Sequence, residues 1–350
     1  MDAAGHLPGA GAASTPSRRA GRVIALLAAL TGVAVVVSLG LGSYPLSPWA
    51  VLETLWSLLT GASSSQPPMA THVLLSVRLP RVLAALLVGA SLAAAGAACQ
   101  TLFRNPLASP GILGVSSGAG FGAALALLSG GGALALQGTA FAGGVLAVTA
   151  ALFIAGHLGR YSTLVLVLAG LVVSALFQAL TSALKYLADP FDTLPAIVFW
   201  LLGSLARVTL PDLAFALPFS LLGVVVLFLL RWPTQVLEAG DDEAATLGVP
   251  VRLLRLLLIA AATLMTAAAV SIAGVIGWVG LLVPHLARLL VGPAYAQLLP
   301  ASTLLGALFL LLVDGLCRAA FAAELPLGVV TAIIGAPVFV LLLARARRQA

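Results

Sequence analysis

Lys185 is the only lysine in this sequence, and no glycine-rich run leads into it, so a GxxxxGK[ST] loop for cradling phosphates is absent. Nucleotide hydrolysis of that kind belongs on another chain. His6, His72, His157 and His285 are scattered, with no second ligand at helical spacing, and read first as structural side chains near the ends of apolar runs. Cys99 and Cys317 are too few for a disulfide scaffold or a metal site and fit as small apolar residues. No nucleophile stands beside a base. What remains is charge in clusters: Arg78 and Arg81 around Leu79-Pro80, the acidic run Asp241-Asp242-Glu243, and Asp314 four residues before Arg318. Asp314 is the only carboxylate well inside an apolar run. An ion-coupled secondary transporter needs titratable groups at that depth, so that alternative rests on Asp314 alone. Pairing with Arg318 at i, i+4 on one helix face is the simpler role for it.

The elements that hold these groups are membrane helices. Hydrophobic residues make up 61% of the chain and charged residues 8%, against about 25% charged in a soluble domain. Helices satisfy every backbone group internally, so the composition specifies an all-α polytopic membrane protein. In a soluble protein the net charge of +6 would suggest nucleic acid; here most arginines flank apolar runs, as the positive-inside rule expects, and no nucleic acid is implied.

Ten spans are predicted. Residues 1–20 read as a disordered cytoplasmic tail, followed by a retained first span at 23–42. Trp49 and Trp56 mark an interfacial stretch. Val82 to Phe103 is 22 residues without a charge, enough to cross a core of about 30 Å. Its small residues, Gly89 to Ala98, suit close packing against other helices. Asn105 to Pro110 forms a polar turn, and spans follow at 111–129, 133–156, 164–184 and 213–230. Residues 193–206 are too short to cross and are expected to be re-entrant or interfacial. Residues 236–255 form a charged cytoplasmic segment, with a short helix opened by Asp241-Asp242-Glu243 and ended by Gly248 and Pro250. The 32 uncharged residues Leu256 to Ala287 require two crossings with a tight turn near 271–274 if Arg252, Arg255 and Arg288 are to share one side. The last spans are 299–316 and 326–344. Both termini then lie in the cytoplasm, with 12 of the 17 basic residues. On this topology Cys99 and Cys317 sit near opposite membrane faces, beyond the roughly 7 Å reach of a disulfide.

Several runs carry a family resemblance: RLPR at 78–81, GASLAAAG at 89–96, Gln100, NPLASP at 105–110 and LGVSSGAG at 113–120. To these are added WLLGSL at 200–205, LEAGDDEAATLGV at 237–249, GVIGWVGLLVPHLARLLVGP at 274–293 and the stretch from Leu299 to Phe339 ending GAPVF. The chain resembles, from Arg78 onward, the permease subunits of bacterial ABC importers for ferric siderophores, cobalamin and haem. The resemblance implies a ten-helix, cobalamin-permease-like bundle at residues 21–350 in the bacterial inner membrane, working as a homodimer with two copies of a separate ABC ATPase. A periplasmic or lipoprotein binding protein would deliver the cargo: ferric siderophore first, then cobalamin or haem. No cofactor is implied, and iron passes only as a complex. Residue by residue, it implies ATPase coupling at Asp242, Glu243, Leu247, Gly248 and Val249. It implies a gate at Asn105, Leu107, Ser162 and Thr163, where helix capping is the plainer role for Ser162 and Asn105. Arg78, Arg81 and Arg318, all placed outside against the positive-inside bias, would receive acidic residues of the binding protein.

Overall fold

A computed structural model describes residues 18–42, 44, 46–61, 66–158, 162–319 and 324–347, and every regular element among them is helical. In chain order these are α1 (Arg18–Gly40), α2 (Pro48–Thr60), α3 (Pro68–His72), a π-helical stretch (Val73–Arg78) and α4 (Leu79–Leu102). A 3₁₀ turn (Pro110–Leu113) then leads to α5 (Val115–Leu128), α6 (Ala133–His157), α7 (Thr163–Leu187), α8 (Thr193–Leu201) and α9 (Leu210–Leu229). The second half comprises α10 (Arg231–Leu237), α11 (Asp241–Thr246), α12 (Val251–Ala273), α13 (Val279–Val291), α14 (Tyr295–Ala319) and α15 (Leu327–Arg347). Seven helices among the described residues are long and apolar enough to cross a membrane; α5, α13 and part of α15 are shorter apolar helices.

The bundle is built around α4 and α12. In the most apolar window of the helix ending at Leu102, 78% of residues are buried, against 72% in α12 and only 17% in α1. α4 packs on α14, α12 and α13, while α5 packs on α6 and α7. Glycine sets these distances. A Cβ added at Gly89 would lie 2.2 Å from the Gly306 carbonyl oxygen of α14, and one at Gly96 would lie 2.0 Å from that of Gly280 in α13. The small-residue face of α4 therefore does what its composition suggests, letting two backbones meet where any side chain would hold them apart.

Three boundaries differ from the sequence expectation. α1 begins at Arg18, inside the stretch read as tail; residues 1–17 lie outside the described residues. The helix leading into α4 is continuous from Pro68, so Arg78 and Arg81 lie within it and do not precede it. Pro80 fails to break this helix because the π-helical turn widens just ahead of it: the Leu79 amide donates to the Leu74 carbonyl, an i to i−5 bond. The turn between α12 and α13 falls at residues 274–278, later than 271–274, with Gly274 (φ 68°) and Trp278 (φ 69°) both left-handed.

The nine residues of α8 are too few to cross a membrane, as expected. α8 is tied in by backbone bonds: the Ser204 amide donates to Ala273 at 2.8 Å, and the Leu327 and Gly328 amides donate to Gly203 and Leu202 at 2.9 and 3.1 Å. One junction thus holds the end of α8, the end of α12 and the start of α15. Cys99 and Cys317 are both free and buried, on α4 and α14.

Candidate functional site

The charged residues gather at two ends of the bundle. At one end, α11 emerges between α10 and α12. Its acidic first turn is Asp241, Asp242 and Glu243, where carboxylates meet the positive end of the helix dipole. Gly248 follows in the left-handed conformation (φ 79°) and closes the helix, as its sequence position suggests. Ala244 and Val249 are buried and seat the segment, while Asp242, Glu243, Leu247 and Gly248 are exposed. Leu247, 63% exposed, is a bare leucine on an otherwise polar projection. Asp241 turns inward and pairs with two arginines: Arg255 of α12 at 2.7 Å and Arg104, just after α4, at 3.1 Å.

The turn after α4 stands beside it. The Asn105 side chain accepts from the Leu107 amide at 2.9 Å, and the Asn105 carbonyl accepts from Ala108 at 3.0 Å. This asparagine-closed turn pushes Leu107 outward, 46% exposed. Ser162 caps α7, its hydroxyl accepting from the Val165 amide at 3.3 Å. Capping is thus visible for Ser162 and turn closure for Asn105. Thr163 is the first residue of α7, and residues 159–161 lie outside the described residues.

A polar network that sequence reading missed lies behind this turn. The Gln100 amide donates to the Leu281 carbonyl at 3.0 Å and its carbonyl accepts from Arg288 at 3.1 Å. Thr101 donates to Glu238 at 3.4 Å. Burial pushes the Glu238 carboxyl above the usual carboxylate range, partly offset by nearby Arg288 and the Thr101 bond. Its only signal in the sequence was Gln100, a lone amide near the end of an apolar run.

At the other end, Arg78, Arg81 and Arg318 converge, but their guanidinium groups point inward. Arg81 donates to Asp314 at 2.9 Å and to both oxygens of Glu324 at 2.9 and 3.0 Å. Arg318 pairs with the second Asp314 oxygen at 3.1 Å. It also donates to the Ser38 hydroxyl at 2.6 Å. Arg78 donates to the carbonyls of Leu39 and Gly40 at 2.8 and 2.9 Å and to that of Tyr44, closing the C-terminal end of α1. Arg78 and Arg81 are only 4% and 7% exposed. The sequence anticipated the Asp314–Arg318 pair. It did not anticipate that Arg81 would share the same carboxylate, which leaves Asp314 fully buried between two cations and committed to structure.

Beside this cluster opens a cavity of about 670 Å³. Phe191, Phe199 and Trp200 give it an aromatic wall, and Asp192, Arg207, Asp212 and Glu324 supply its charges. Asp212 is already engaged, closing a capping box with Thr209 at the start of α9 and accepting from Gln137. Among the described residues no cluster of three or more His, Cys, Asp or Glu is placed to hold a metal ion.

Known proteins are similar to this chain in sequence and in fold. The chain is 40% identical over 322 residues to the molybdate import system permease protein MolB of Haemophilus influenzae, covering 92% of this chain and 95% of that protein. It is 44% identical over 275 residues, 79% of this chain and 83% of the relative, to a probable iron chelatin transport system permease protein of Helicobacter pylori. A vitamin B12 import system permease protein BtuC of Salmonella paratyphi A is 40% identical over 280 residues, 78% of this chain and 83% of its own. Among solved structures, one described as an inward-facing conformation of a putative metal-chelate type ABC transporter superposes with a TM-score of 0.84 at 38% identity, covering 93% of this chain and 99% of that one. Residues 30–345 match the FecCD transport family model, and with relatives this similar over this much of the sequence, the chain belongs to the FecCD transport family.

Proposed function

We propose that this chain is the membrane permease subunit of an ABC importer, working with a separate ATPase that binds over α11. The observation that carries this reading is the exposed Leu247 on a short acidic helix between apolar spans, in a chain with no phosphate-binding loop. A partner must cover that leucine, and Asp242, Glu243, Gly248 and Val249 form or support the same contact. The three shorter helices α5, α13 and α15 cross as well, giving ten crossings, with both termini on the α11 side and facing the cytoplasm from the bacterial inner membrane.

Two copies of the chain enclose one path, with Asn105, Leu107, Ser162 and Thr163 at its inner constriction. The cavity is the outer part of the path. Its aromatic wall, and the excess of carboxylates over the one guanidinium of Arg207, favour a bulky organic chelate over a bare oxyanion such as molybdate. A ferric siderophore fits that description first, then cobalamin or haem. The binding protein docks at the end carrying Arg78, Arg81 and Arg318. Because these guanidiniums are engaged within the chain, docking through them requires the Arg81–Glu324 pair or the contacts of Arg318 to open, and the 47% exposed Glu324 side chain is the more accessible place to start.

Replacing Leu247 with Asp tests the coupling surface. The variant should still reach the membrane, since Leu247 is largely exposed, but lose the co-purified ATPase or the dependence of cargo uptake on ATP. Unimpaired uptake with the ATPase still bound would remove α11 from the contact.

Docking has a separate test. Binding of the delivery protein to permease in detergent should weaken as salt rises, because ion pairs between exposed charges are screened. An affinity indifferent to salt would place docking on other groups.

A further inference from the structure

Arg104 is one of two described non-glycine residues in the left-handed region, with φ at 46°. That conformation is disfavoured for a side chain with a Cβ, and it persists where the surroundings hold it. Here the chain reverses out of α4. The Asn105 amide reaches back to the Gln100 carbonyl at 3.0 Å, and Asn105 then closes the turn over Leu107. These internal bonds tie residues 104–108 to one another. The side chain of the strained residue leaves the turn altogether and meets Asp241, 137 positions later, at 3.1 Å.

Asp241 is itself anchored. Both of its oxygens accept from Arg255, at 2.8 and 2.7 Å, and Arg255 belongs to the largely buried α12. The two links are unequal. The Arg255 side chain is 14% exposed and the Arg104 side chain 45%, so the Arg104 link is the more solvated and the easier to break. An element that carries a signal needs two arrangements that both sites can bias. The solvated pair, joined to a strained turn, is the place in this structure where such an element would lie.

We infer that Asp241 is the positioning residue through which α11 sets the turn bearing Leu107, acting by way of Arg104. Asp242, Glu243 and Leu247 face the partner, whereas Asp241 faces the turn. Movement of α11 under the ATPase alters the Asp241–Arg104 pair and releases or restores the left-handed turn at the mouth of the path. The inference rests on the coupling reading above.

The test reads the turn directly and needs no cargo. Leu107→Cys is labelled with a membrane-impermeant maleimide in the intact permease–ATPase complex, without nucleotide and after trapping with ATP and vanadate. The native cysteines are buried and serve as a silent background. The labelling rate should change on trapping, and in Asp241→Asn or Arg104→Gln backgrounds that change should shrink by about twofold to thirtyfold, the range that coupling of this kind supports. Asp241→Glu and Arg104→Lys should restore most of it, which simple loss of structure would not allow. The ATPase should co-purify with the Arg104→Gln variant, since Arg104 lies outside α11. A nucleotide response that persists undiminished in Arg104→Gln overturns the inference while leaving the coupling surface standing. If the unaltered complex shows no response at Leu107→Cys, the gate reading fails and the inference falls with it.

Discussion

Asp314→Ala should destabilise the protein by about 3–5 kcal/mol, the cost of removing one partner from a buried ion pair and stranding the rest. The reason lies in the arithmetic of charge. Asp314 is fully buried, and the side chains of Arg81 and Arg318 beside it are 9% and 8% exposed. Two guanidinium groups are held in a low-dielectric site by one carboxylate, and among the described residues Glu324 supplies the only other carboxylate contact, to Arg81 alone. Without Asp314, Arg318 keeps only the neutral oxygens of Ser38 and Leu41. Arg318 lies in the last turn of α14 and Arg81 in the first turn of α4, so the loss loosens one of the two most extensively packed helix pairs in the bundle. Thermal unfolding in detergent, followed by the fraction remaining monodisperse, measures the effect. Glu324→Gln is the matched control: at 47% exposure its pair with Arg81 should be worth only about 0–1 kcal/mol. Equal shifts in the two variants would show that the cluster does not hold the fold.

Gly96→Ala should also destabilise, against the usual sign for that substitution. In a helix interior alanine is favoured over glycine by about 1 kcal/mol. At Gly96, however, an added Cβ would sit 2.0 Å from the Gly280 carbonyl oxygen and 2.7 Å from its Cα. The obstacle is backbone, so no rotamer change relieves it, and α4 and α13 must part. Overpacking of this kind costs about 1–3 kcal/mol or more. Gly96→Leu should fail to give folded protein. Gly32 and Gly138, with nothing within 4 Å of their added Cβ, are the controls, and alanine there should be neutral or stabilising. The measured quantity is the difference between Gly96→Ala and Gly138→Ala. If Gly96→Ala melts no lower than the unaltered protein, the close approach of α4 to α13 is not as described.

Much of the molecule was decided by sequence alone. Apolar runs of membrane length leave a backbone only the helix, so the all-α fold followed from composition and spacing. The amphipathic segment at 236–255 stood out because charge is so scarce elsewhere. Its helix runs between the acidic turn and Gly248 as local capping chemistry dictates. The Asp314–Arg318 pair was legible because both residues lie on one helix, where a separation of four fixes their geometry.

Only the tertiary structure decided what lies between helices. The uncharged run opened at Val82, yet a π-helical turn accommodates Pro80 and carries the helix back to Pro68. Arg81 meets Asp314 across 233 positions and Arg104 meets Asp241 across 137. Such pairs depend on how far each helix is rotated and slid against its neighbour. Those offsets are set by the glycine contacts Gly89–Gly306 and Gly96–Gly280, where backbones touch. A sequence marks each glycine as a place where two helices could meet, but which partner it meets is fixed by packing all of them at once. Three arginines that read as an open socket are for that reason buried: the same approach that brings α4 to α14 closes carboxylates and helix-end carbonyls around them.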